Sequence, residues 1–153
     1  MFTKVVCSSL AASLHLTLAP ATASAECRTV AGTIDASVVG GEPVNVLGSV
    51  SGDLAGATRA VLLDQSEGKD GVLALSLAHD FVTRSRGTLR TSDTATWTPI
   101  PGEDGVFHMM TEYTIQDGAG PLAGATGTLR NDGIADTITG LVTLRYEGEL
   151  CVD

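Results

Sequence analysis

His79 and Asp93 have the types and spacing to share proton chemistry on a β-strand scaffold. His79 belongs to the odd-numbered series Leu73, Leu75, Leu77, His79, Phe81 and Thr83, and Asp93 to the series Leu89, Thr91, Asp93, Ala95 and Trp97. Side chains alternate faces along a strand, so each series occupies a single face. A hairpin through Ser85-Arg86-Gly87, with Gly87 left-handed as in a bulged loop, sets Phe81 opposite Thr91 and His79 opposite Asp93. Pairing Thr98 with Val106 across the following loop then brings Thr111 beside Asp93 and Tyr113 beside Thr91. A carboxylate on an imidazole fixes its tautomer and forms an acid–base pair, and neighbouring hydroxyls can orient a ligand oxygen. The competing reading is a buried polar pair that only fixes register, because buried polar groups are hydrogen-bonded whatever their role.

Strands must position these residues. Apolar residues recur with period two between Gly-, Asp- and Pro-rich punctuation, and helical periodicity is nearly absent. The pattern predicts eight strands, at about 28–39, 43–51, 57–65, 72–84, 88–98, 106–116, 125–131 and 134–150. The turns fall at Gly40-Gly41, Gly52-Asp53, Gly68 to Gly71, Pro99 to Gly105, Gly118 to Pro121 and Asn131-Asp132-Gly133. Short connections make sequential neighbours antiparallel. Two echoes recur: Gly52 to Thr58 matches Gly120 to Thr126, and Gly87-Thr88-Leu89-Arg90 matches Gly127-Thr128-Leu129-Arg130. Their unequal spacing rules out a solenoid and points to a Gly-rich turn used more than once, such as marks a barrel corner.

The first 25 residues have the pattern of a secretory signal peptide. Lys4 precedes a mostly apolar run from Val5 to Ala19, and Ala23-Ser24-Ala25 offers a small-residue cleavage site. A membrane anchor fits less well, because the run is short, interrupted by His15 and ended by Pro20. Glu26 is a poor neighbour for lipid attachment at Cys27. Residues 26–153 then form one domain, with no stable membrane insertion after cleavage. Cys7 leaves with the leader, so Cys27 and Cys151 remain at opposite ends of the mature chain. Two cysteines in an exported protein favour a disulfide over two free thiols. That bridge sets the first and last strands side by side. The expected fold is all-β: an eight-stranded antiparallel β-barrel closed by an N-to-C-terminal disulfide.

The stretch Glu112 to Ile115 followed by Gly118 to Gly127, together with Gly140 to Leu150, resembles the glycine-rich turn and closing strand of allene oxide cyclase-like barrels. Dirigent proteins share that architecture more distantly. The resemblance covers roughly residues 70–150 and implies an eight-stranded barrel with an apolar cavity. It further implies cofactor-free steering of a reactive hydrophobic molecule by confinement. No catalytic residue of that family maps onto a numbered position here.

Other chemistry finds little support. The net charge is −9, and loss of Lys4 makes it one unit more negative, which disfavours nucleic acid and anionic membranes as partners. His108 and Glu112 fall on the outward face of their strand, and with no Cys/His cluster no metal site is expected. The acidic stretch Asp64 to Asp70 lacks the ligand order of a calcium loop, and no serine sits in a nucleophile elbow. No cofactor is expected. The reading is an exported, periplasmic or extracellular barrel that binds a small hydrophobic molecule. His79 and Asp93 are the candidate catalytic pair, and Phe81, Thr91, Trp97, Met109, Thr111 and Tyr113 the candidate ligand contacts. One alternative is a cyclase or isomerase using the His/Asp pair. Another is an interaction module with a filled barrel, since eight strands leave room only for side chains or one small ligand. Outward Val82 and Val106 could support a homo-oligomer.

Overall fold

The computed structural model describes residues 25–152; the leader expected over 1–25 lies, apart from Ala25, outside the described residues. Eight strands follow in chain order: β1 (Glu26–Gly40), β2 (Asn45–Val50), β3 (Gly56–Glu67), β4 (Leu73–Thr83), β5 (Thr88–Pro99), β6 (Val106–Ala119), β7 (Thr126–Asp136) and β8 (Leu141–Val152). Each pairs antiparallel with the next, and β8 closes on β1 to complete the barrel. Cys27 lies directly opposite Cys151 in that seam, and the two are joined by a disulfide. The period-two pattern is the direct cause of the architecture. Along β5, Leu89, Thr91, Asp93 and Ala95 point inward and are buried while their even-numbered neighbours are exposed.

The two ends of the barrel differ. At the end holding the termini, the two Gly-rich echoes each form a short 3-10 turn, Gly52–Leu54 before β3 and Gly120–Leu122 before β7. Both turns drive a leucine, Leu54 or Leu122, into the core. Tyr146 secures the first plug: its hydroxyl accepts from the Leu54 N–H at 3.0 Å and donates to the Ser51 carbonyl at 2.8 Å. The opposite end carries the loops β1–β2, β3–β4, β5–β6 and β7–β8, and its interior holds a small cluster of Ala60, Leu75, Leu77 and Ala95 against Val46, Leu62, Leu73 and Trp97.

Three local expectations are corrected. The β4–β5 register sits two residues from the expected one, with His79 opposite Thr91, Leu77 opposite Asp93 and Phe81 opposite Leu89. The three-residue loop falls one position earlier, at Arg84-Ser85-Arg86, because the Thr83 N–H and hydroxyl both bond across to Gly87. Arg86 takes the left-handed backbone at φ 67, not Gly87. Gly87 is needed for closeness: a Cβ there would come within 2.8 Å of the Leu122 plug. The β5–β6 register also sits two residues away, placing Asp93 opposite Tyr113 and Thr111 opposite Ala95, because pairing continues to Pro99 and Phe107 before the chain turns. A slip of two preserves every side chain's face, so the inward set is unchanged. Finally, Asn131-Asp132-Gly133 is not a turn. β7 runs through it, and the chain reverses after Asp136, whose carboxylate accepts from the N–H groups of Ile138 and Thr139. Asn131 stays in strand because its side chain is buried against Tyr113.

Candidate functional site

The middle of the barrel carries a polar belt on four successive strands. His79 comes from β4, Thr91 and Asp93 from β5, Thr111 and Tyr113 from β6, and Asn131 from β7; all are buried. Although His79 and Asp93 are diagonal neighbours rather than opposite ones, the imidazole Nδ1 donates to Asp93 Oδ2 at 2.6 Å. Diagonal pairs on one sheet face lie within reach of long side chains. The Asp93 side chain is 0% exposed and that of His79 10%. Phe81 stacks on the imidazole with centroids 5.7 Å apart, and Tyr113 meets it edge-on at 5.0 Å. The ring is therefore clamped by a carboxylate and two aromatic rings.

Tyr113 completes a second link. Its hydroxyl accepts from Asn131 Nδ2. Burial pushes its phenol far above the ordinary value of 10.0; the Asn131 bond opposes that rise and the Asp93 charge adds to it. Several belt atoms are sealed from solvent with no partner: Thr91 Oγ1, Asp93 Oδ1, Thr111 Oγ1 and Asn131 Oδ1, and nearer the open end Trp97 Nε1. Each such atom costs about 1–3 kcal/mol if left unpaired. Four of the five lie in this one belt.

Above the belt lies a cavity of about 50 Å³, room for roughly four waters or a compact organic molecule. His79, Thr111 and Tyr113 are among its walls, with Trp97, Met109, Leu77, Ala60, Val142 and Leu144 supplying apolar surface. It reaches the rim at Val38, which is 40% exposed. Of the expected site residues, the structure gathers His79, Trp97, Met109, Thr111 and Tyr113 on this wall. Asp93, Phe81 and Thr91 stand behind it, where Asp93 orients the imidazole. With Asp93 accepting at Nδ1, the neutral ring keeps Nε2 as an acceptor, and Nε2 has no protein partner among the described residues. Sequence reading missed Asn131, assigned to a turn, and Tyr146, which was given no role. The alternation of β7 and β8 would have placed both inward had the turn after Asp136 been recognised.

His108 faces outward and pairs with Asp132 at 2.9 Å. Cys27, Glu149 and Cys151 bring three potential metal donors within 4.8 Å, but both sulfurs are already joined in the disulfide.

No family model matches the chain, and no sequence match to a curated protein was found. Among solved structures, it is similar to a pterocarpan synthase dirigent protein at 14% identity, over 92% of this chain and 99% of that one, with a TM-score of 0.37. A likeness of that size transfers no residue, ligand or reaction.

Proposed function

We propose that this protein is exported and binds a compact, largely hydrophobic molecule in the lumen of its barrel. The observation that carries the reading is the apolar cavity floored by His79, with Thr111 Oγ1 unpartnered in its wall. A core selected for stability alone is expected to pair or replace such groups. The cavity lies well below the roughly 300–1,000 Å³ of pockets for drug-sized ligands, so the ligand is small. The resemblance of Gly118 to Gly127 to the turn of allene oxide cyclase-like barrels supports the same reading. Export is supported by the leader-like first 25 residues and by the disulfide, which persists in oxidising compartments.

A cofactor-free isomerase or cyclase is the second reading, favoured by the clamped His79–Asp93 pair, whose Nε2 could move a proton at a molecule held in the cavity. The first test is native mass spectrometry of protein purified from its own host. The binding reading expects a small adduct released on denaturation. A bare chain, together with Trp97 emission that no small apolar compound perturbs, overturns it.

A further inference from the structure

The floor of the cavity offers an uneven set of hydrogen-bonding groups. His79 gives its Nδ1 hydrogen to Asp93, so the neutral ring presents a lone pair at Nε2. Thr111 Oγ1, in the same wall, is buried and unpartnered. The Tyr113 hydroxyl accepts from Asn131 and retains its own hydrogen to donate. With the imidazole neutral, the floor offers one acceptor beside two hydroxyls, facing a space whose other walls include Ile34, Ala36, Val38, Val142 and Leu144, with Trp97, whose Nε1 is also unpartnered, nearer the open end.

We propose that the lumen selects a compact alcohol, whose hydroxyl donates to His79 Nε2 and accepts from Thr111 or Tyr113 while its hydrocarbon body fills the apolar half of the cavity. This specifies the ligand class of the binding site proposed above and rests on that reading. Competing groups match less well. A ketone accepts from the hydroxyls but turns its lone pairs toward Nε2. A carboxylate brings a second negative charge beside the buried Asp93. A hydrocarbon leaves the floor groups unpaired, and a site built to hydrogen-bond a hydroxyl rejects the analogue lacking it.

The test is a titration of the intact protein with cyclopentanol, cyclopentanone and cyclopentane, three probes of nearly one shape, read by emission of Trp97, the single tryptophan. Cyclopentanol is expected to bind about tenfold or more tightly than either analogue. Thr111→Val, close to isosteric, is expected to shrink that preference severalfold, weakening cyclopentanol binding while relieving the unpaired hydroxyl that cyclopentane meets. Equal affinity for all three, or a preference for the ketone, overturns the alcohol assignment and leaves lumen binding intact. Failure of every probe to bind overturns both. The wild-type panel decides the matter even if Thr111→Val does not fold.

Discussion

At the end of the barrel where the termini meet, two copies of one Gly-rich turn insert Leu54 and Leu122, Tyr146 bonds the first turn in place, and a disulfide ties β1 to β8. The loop-bearing half is built on the same alternation of residues, yet it keeps a cavity, and unpartnered polar atoms lie at and below its floor. The closed end satisfies its polar groups internally: the Tyr146 hydroxyl both donates and accepts within the protein. Tyr113, in the lumen belt, accepts from Asn131 but has no protein acceptor among the described residues. One half holds the fold together, and the other keeps open space and unpartnered polar groups at its centre.

Four perturbations separate the halves. The largest effect is expected at the seam. Cys27 and Cys151 are 124 residues apart, so replacing both with serine is expected to lower stability by about 4–5 kcal/mol, measured by urea denaturation under oxidising conditions. Next, Leu122→Ala at the plug is expected to cost about 3 kcal/mol. Val38→Ala at the rim should stay within about 0.5 kcal/mol. Equal losses at the two positions would erase the contrast.

Third, Asp93→Leu alone strands the buried imidazole, whereas His79→Phe with Asp93→Leu removes both polar partners. The single variant is expected to be less stable than the double by about 1–3 kcal/mol, as read in a double-mutant cycle. The smallest effect is alkaline. Burial raises the Tyr113 phenol in the folded protein, so above the ordinary value of 10.0 the unfolded chain loses a proton that the folded chain keeps. Stability is fully present below that value and declines as pH rises above it, by up to about 1.4 kcal/mol per pH unit for one tyrosine. Tyr113→Phe should flatten the decline between pH 10 and 11. A remainder should persist from Tyr146, which burial also raises.

The fold was largely legible because strand alternation is written residue by residue. Odd-numbered His79, Asp93, Thr111 and Tyr113 all turn inward as parity requires, and Cys27 and Cys151 pair in the closing seam. Parity is blind to slips of two, and both hairpin registers moved by that amount. They are set by contacts far apart in sequence, such as Leu122 packing on Gly87. The β7–β8 reversal was misread because Asn131-Asp132-Gly133 has turn chemistry locally. Its tertiary partners, Tyr113 for Asn131 and the Thr143 backbone against Gly133, override that preference. The plugging role of Leu54 and Leu122 was hidden for a similar reason: the echo was visible, but its target was not.

The most direct measurement is nitrogen-detected NMR of the His79 imidazole, at a pH where the ring is neutral, before and after addition of cyclopentanol. Hydrogen on Nδ1, a bare Nε2, and a displacement of the Nε2 resonance when the alcohol binds are expected. Hydrogen on Nε2 instead, or an Nε2 resonance unmoved while Trp97 reports binding, would contradict that expectation.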